Sequence, residues 1–81
     1  MSSDPQLRIG ELSRRTGVAP ELLRAWERRY GLLRPQRSEG GFRLYSGADE
    51  RRVELMRRHL RRGLAAAEAA RLAAAAGDTP E

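Results

Sequence analysis

The sequence predicts a mainly α fold of about four helices, with one small β-hairpin between the second helix and the third. Three observations carry that reading. Apolar residues recur at helical spacing over 9–30 and again over 53–60. The stretch 32–45 breaks the pattern, with Pro35 and the Gly40-Gly41 pair as turn signals. Alanine, which has the strongest helix propensity, fills nine of the thirteen positions 64–76.

Residues 1–6 are polar, carry Pro5 and read as a flexible tail. Leu7-Arg8-Ile9 is either a short strand or a plain lead-in. The first helix runs from about Gly10 to Thr16, with Ile9 and Leu12 inward and Glu11, Arg14 and Arg15 outward. Gly17 ends it, because glycine takes the left-handed conformation that closes a helix, and Val18 sits in the turn. The second helix starts at Pro20, whose missing N–H is not needed in a first turn, and reaches about Tyr30. Leu22, Leu23, Trp26 and Tyr30 form its apolar stripe. Arg24 and Arg28, four apart, share another face, with Glu21 and Glu27 nearby, and Gly31 closes the helix.

Pro35 cannot sit inside a helix. The flanks Leu33–Gln36 and Phe42–Tyr45 suit a two-stranded ribbon, with Phe42 and Leu44 facing one way and Arg43 and Tyr45 the other. Arg34, Arg37 and Arg43 make the ribbon basic. Ser46 and Asp49 have capping-box spacing and open the third helix. Val53, Met56 and Leu60 recur on one of its faces; Arg51, Arg52, Arg58, Arg61 and Arg62 cover most of the rest, and Gly63 stops it. The fourth helix spans about Ala66 to Ala76. Alanine buries little area, so this helix is expected to pack weakly. Residues 77–81 read as a second tail, which leaves one domain over 7–76.

Size and charge narrow the function. A chain of 81 residues holds one small domain, which buries only about 60% of its unfolded surface and leaves little room for a deep substrate cavity. The absence of cysteine excludes disulfides and thiolate metal sites, and one histidine cannot build a zinc site alone. No apolar run approaches the roughly 18–20 residues of a membrane span, and the N-terminus lacks the basic-then-apolar order of a signal peptide. The expectation is a cytoplasmic protein. No nucleophile stands with its base, and Gly40-Gly41 has no phosphate-loop context, so an enzyme is not expected. Sixteen basic residues, all arginine, oppose eleven acidic ones for a net charge of +5. A pI near 11.2 is the electrostatic footprint of a nucleic-acid binder. The use of arginine in place of lysine has two readings that can hold together: codon bias in a GC-rich genome, or guanidinium forks suited to phosphates and guanine edges. RNA recognition calls for exposed aromatics, whereas the one Trp, two Tyr and one Phe stand mostly at packing spacings.

Two helices joined at Thr16-Gly17-Val18, followed by a glycine-tipped basic ribbon, outline a winged helix-turn-helix. The residues also carry a family resemblance. Leu23-Arg24-Ala25-Trp26-Glu27-Arg28-Arg29-Tyr30-Gly31-Leu32 resembles the recognition-helix signature of MerR-type transcription regulators. Arg37-Ser38-Glu39-Gly40-Gly41-Phe42-Arg43-Leu44-Tyr45-Ser46 is similar to that family's wing, and Ile9-Gly10-Glu11-Leu12-Ser13 with Thr16-Gly17-Val18 to its opening helix. The resemblance covers about residues 7 to 76. Trp26-Glu27-Arg28-Arg29-Tyr30-Gly31 most resembles the light-responsive, cobalamin-binding regulators of the CarH/LitR type, many of which have histidine where this chain has Phe42. It implies no cofactor in this segment and cobalamin in a downstream domain if the chain is a fragment.

The DNA-binding candidates are Arg24, Trp26, Arg28, Arg37, Phe42, Arg43 and Tyr45. A helix laid in the major groove offers side chains such as Arg24 and Arg28 to phosphates and base edges; otherwise they are a solvated face paired with Glu21 or Glu27. Trp26 packs between the second helix and the wing, and the resemblance lets its indole N–H reach a phosphate. The family wing, here 36–43, lies on the backbone and can reach the minor groove, where narrow tracts attract an arginine such as Arg43. Phe42 either packs on sugars or anchors the hairpin from below. Tyr45 resembles a family tyrosine that donates its hydroxyl to phosphate, and Arg37 is expected to meet phosphate; Tyr30 is core or wing support. Arg57, Arg58, His59, Arg61 and Arg62 read as a solvated face. The partner is double-stranded promoter or operator DNA. The domain alone is expected to be monomeric and to oligomerise through a missing C-terminal region. Repression by blocking a promoter and activation by distorting one use the same head. The alternative is an architectural or adaptor module, like a recombination directionality factor, that bends DNA or docks a partner protein.

Overall fold

The computed structural model describes residues 6–77. Helix α1 (Ile9–Thr16) ends at Gly17, whose φ of +73° is open to glycine at little steric cost. The Thr16 hydroxyl donates to Leu12 O at 2.8 Å and accepts from Val18 N at 3.3 Å, so one side chain ties the helix end to the turn. Helix α2 (Pro20–Tyr30) begins with its proline at the first turn and ends at Gly31, φ +63°. Strands β1 (Gln36–Arg37) and β2 (Arg43–Leu44) form an antiparallel ribbon in the register Gln36 to Leu44 and Arg37 to Arg43. Helix α3 (Gly47–Arg61) starts from the capping box, with Ser46 and Asp49 bonding reciprocally. Helix α4 is Ala66–Gly77. Four helices and a two-stranded hairpin in this order are a winged helix-turn-helix.

The lead-in joins the ribbon through one antiparallel bridge. Leu7 N donates to Tyr45 O at 2.9 Å and Tyr45 N to Leu7 O at 2.7 Å. Gln6 N also donates to Tyr45 O, at 3.0 Å, so this tail residue touches the fold, and Gly77 lies in α4. The rest of both expected tails, 1–5 and 78–81, lies outside the described residues.

Leu12, Leu23, Trp26, Leu32, Leu33, Tyr45, Val53 and Met56 fill the core, and Ala69, Ala70 and Ala73 close it from α4. Five expectations need correction. The alanine-rich helix does not pack weakly: α3 against α4 is the most extensive packing between the described elements. Small side chains let two helices approach closely, an effect that alanine's own small area hides. Leu22 does not join the α2 stripe and stays 45% exposed. Residues 23, 26 and 30 already make the three-four spacing that one helix face can bury, and Leu22 falls on its shoulder.

The other three corrections concern polar groups. Tyr45 is fully buried although Arg43, on its expected face, is exposed. At Tyr45 the strand changes partner from β1 to Leu7, which ends the ribbon's simple alternation. Arg52 is not on the solvated face; it is buried against Asp49 and Leu32 O. Arg57 donates to Thr16 O at the end of α1, where a cation meets the unpaired carbonyls of a helix terminus.

Candidate nucleic-acid interface

The α2 geometry separates its arginines from its aromatics. At about 100° per residue, Arg24 and Arg28 share one face and Trp26 points to the opposite side. Both arginines are exposed and Trp26 is buried. Among the described residues, neither Arg24 nor Arg28 has a hydrogen-bond or ion-pair partner, so their guanidinium donors face solvent.

The ribbon folds back over this face. Arg24, Glu27 and Arg28 of α2 and Arg43 of β2 line a cleft of about 390 Å³. A second cleft of about 230 Å³ is lined by Arg8, Ile9, Arg24, Gly41, Phe42, Arg43 and Tyr45. Arg24 and Arg43 belong to both, so the two clefts form one basic concavity between α2, the ribbon and the lead-in. The structure thus brings together five of the sequence-predicted residues: Arg24, Arg28, Phe42, Arg43 and Tyr45.

Arg37 and Trp26 stand apart from it. Arg37 sits on β1 and donates from Nη1 to Gly41 O at 3.2 Å, bracing the ribbon tip. Trp26 is buried in the core. It lines a groove of about 310 Å³ on the other side, with Val18, Ala19, Leu22, Leu60 and the arginines Arg57 and Arg61.

Phe42 is no core anchor, being 49% exposed. Its ring carries the Arg8 guanidinium, with Cζ 3.9 Å from the ring centroid, a cation–π contact. The tip beneath is tight. Ser38 O accepts from Gly41 N at 3.0 Å and Ser38 Oγ from Phe42 N at 3.2 Å. A side chain at Gly40 would start 3.0 Å from the Phe42 ring. Gly40 therefore leaves room for the ring, and Gly41, φ +84°, turns the chain.

Glu27 is the acidic member of the concavity. Its Oε2 accepts from Arg43 Nε at 3.1 Å, and its Oε1 accepts from the Tyr45 hydroxyl at 2.8 Å. The Tyr45 hydroxyl, expected on a phosphate, is here given to Glu27. Burial, and then the Glu27 carboxylate beside it, push the phenol well above its usual range. It therefore remains a protonated donor.

Sequence reasoning missed Arg8 and misread Glu27. No spacing rule marks Arg8; it reaches the site because Leu7 pairs with Tyr45 and carries it to the ribbon tip. Glu27 was read as a surface partner for helix arginines. Its position one turn along from Arg24 was the available signal. Among the described residues no group of three or more His, Asp or Glu could hold a metal, and no helix is long and apolar enough to cross a membrane.

The profile of the family described as "MerR HTH family regulatory protein" matches residues 7–76. The chain belongs to the MerR family. Among curated MerR-type relatives, the HTH-type transcriptional regulator MlrA of Escherichia coli is 46% identical over 56 residues, 69% of this chain and 23% of that protein. The HTH-type transcriptional repressor CarH of Myxococcus xanthus is 43% identical over 65 residues, 80% of this chain and 22% of its own length. The repressor CarA of the same organism is 48% identical over 68 residues, 78% of this chain and 23% of CarA. The chain thus spans less than a quarter of these relatives. All three are regulators of transcription by name, which lends nothing to the architectural alternative.

Proposed function

We propose that this domain binds double-stranded DNA sequence-specifically, as the head of a MerR-type transcription regulator acting in the cytoplasm. One observation carries the reading: Arg24 and Arg28, unpaired with any described residue, share a concavity with Arg43 and Arg8 of separate chain segments. Four guanidinium groups on one concave side fit the phosphate lattice of a duplex. Helix α2 enters the major groove, where Arg24 and Arg28 reach base edges and phosphates. The ribbon rests on the adjoining backbone or minor groove, with Arg43 inward, Phe42 against sugars and Arg8 beside it. Arg37 meets phosphate from the ribbon's outer edge. Trp26 and Tyr45 act from behind, holding α2 and the wing in place. Phosphate contacts position the domain and a few base contacts select the site.

The names of the CarH and CarA relatives extend the reading to repression, in which a head seated on a promoter excludes the transcription machinery. One module covers only about 600–1,000 Å². The isolated domain therefore binds as a monomer, and an oligomer formed outside this segment supplies the remaining affinity. If this segment is a fragment of a longer chain, the resemblance to the CarH/LitR type assigns cobalamin to a domain downstream of it.

Selection from randomised duplexes, followed by anisotropy titrations of the selected site at several salt concentrations, tests this. Log affinity falls linearly with log salt, at about −0.9 per phosphate neutralised. Arg24→Ala relaxes sequence preference at one or two positions by about 1–3 kcal/mol. Arg43→Ala weakens binding and flattens the salt slope by about one contact, while the melting temperature holds. An unchanged preference for Arg24→Ala removes α2 from the groove. Unchanged affinity for Arg43→Ala removes the wing.

A further inference from the structure

An acid in a concavity built for a polyanion needs a reason. By simple repulsion, a carboxylate among phosphate-binding arginines weakens the binding it sits beside. Glu27 is there nonetheless, and both its oxygens are engaged, one with each of two ribbon residues. We propose that Glu27 is the positioning residue of the interface: its carboxylate fastens the wing to α2 and aims the Arg43 guanidinium at the ligand. The inference rests on the DNA-binding reading above.

Geometry supports it in three ways. Glu27 meets Arg43 through Nε, the inner edge of the guanidinium. Among the described residues Arg43 has no further hydrogen-bond partner, so both of its Nη groups stay available for a bidentate contact. The pair is also graded in exposure. The Glu27 side chain is 19% exposed and the Arg43 side chain 50%, so the acid lies behind the base and presents the cation outward. Finally, Tyr45 donates to the second oxygen from the buried side, which fixes the carboxylate's rotation. A helix residue thereby sets the position of a strand residue, and the spacing between the two DNA-contacting elements becomes part of what the site reads. A wing not fastened in this way offers the same charge with less discrimination.

The test sets positioning against repulsion. Affinities of wild type, Glu27→Gln, Glu27→Ala, Arg43→Ala and Glu27→Ala/Arg43→Ala are measured on the selected duplex and on a scrambled one, with melting curves for each variant. Repulsion alone predicts tighter binding by both Glu27 variants on both duplexes. Positioning predicts about tenfold weaker binding of the selected duplex by Glu27→Ala, equal or tighter binding of the scrambled one, and hence a lower selectivity ratio. It also predicts that Glu27→Ala changes affinity little once Arg43 is alanine, a non-additivity of about threefold or more between contacting residues. Glu27→Gln keeps the shape and one acceptor oxygen, and shows the same selectivity loss in weaker form; it serves if the alanine variant fails to fold. Additive effects, or tighter binding of the selected duplex by Glu27→Gln, overturn the proposal while leaving DNA binding intact. A wild-type domain without salt-dependent duplex binding overturns the reading beneath it, and the proposal with it.

Discussion

Two acid–arginine pairs hold the two ends of the segment between α2 and α3, and they differ in where they sit. At the start of the segment, Asp49 Oδ1 accepts from Arg34 N at 2.8 Å and from Arg52 Nη2 at 2.6 Å, and Arg52 Nε donates to Leu32 O at 2.8 Å. At its end, Glu27 accepts from Arg43 and Tyr45. The first pair has side chains 1% and 5% exposed, the second 19% and 50%. The chemistry is the same in both. Burial decides whether the guanidinium serves the fold or stays available to a ligand. Arg52 points its donors inward to a carboxylate and a carbonyl; Arg43 gives one edge to the protein and keeps the other for solvent.

The interior pair should break most expensively. Removing one partner of a buried pair leaves the other charged and unmatched, at about 3–5 kcal/mol. A small domain has a total stability of only about 5–15 kcal/mol, so Asp49→Ala and Arg52→Ala lose much or all of their cooperative urea transition. Asp49→Ala is the worse, because Asp49 also accepts from Ser46 N at 2.9 Å and so caps α3. Circular dichroism against urea measures both. A loss below about 1 kcal/mol, the range of exposed pairs, would erase the distinction between the two regions.

The outer pair is sharpened by alkali. The Tyr45 phenol is raised from its ordinary range near 10, first by burial and then by Glu27. A raised folded-state pKa means that the native state holds the proton longer than the unfolded chain. The stabilisation is therefore complete below about pH 10 and is lost as pH rises beyond it. In a Tyr30→Phe background, where Tyr45 is the one remaining tyrosine of the two, phenolate absorbance should appear late and coincide with unfolding. Adding Glu27→Gln should bring it earlier. Titration of Tyr45 at an ordinary pH in the folded domain would mean that its hydroxyl is not held by the carboxylate.

Local rules explain why the fold was legible. Gly17, Pro20, Gly31 and the Ser46–Asp49 box each act within a few residues, and each marks a boundary the structure keeps. Helical spacing put Arg24 and Arg28 on one face, and Arg43 joined them through the resemblance to the family's wing. What stayed hidden depends on tertiary neighbours. Arg52 looks like any other arginine of α3 until Leu32 O and Asp49 are brought beside it. Arg8 enters the site through a single bridge at Leu7, which no periodicity announces. Tyr45 and Glu27, eighteen positions apart, meet only after the ribbon has folded back. The alanine helix was misjudged because its contribution is the close approach it permits, and that belongs to the pair α3 and α4.

The smallest effect belongs to a third pair, Glu68 and Arg71 on α4, which sets the floor of the comparison. Arg71 Nη2 donates to Glu68 Oε2 at 2.5 Å, and this hydrogen bond holds the Glu68 carboxyl below its usual range. A lowered carboxyl contributes stability above its unfolded pKa and loses it as pH falls through the folded one. Here the Glu68 side chain is 48% exposed and the Arg71 side chain 66%, and water and salt screen the pair that short geometry favours. Glu68→Gln should therefore leave the urea midpoint at neutral pH unmoved, in low salt and in high. A measurable drop that salt abolishes would show that contact distance, rather than burial, ranks these pairs, and the contrast between Arg52 and Arg43 would need another cause.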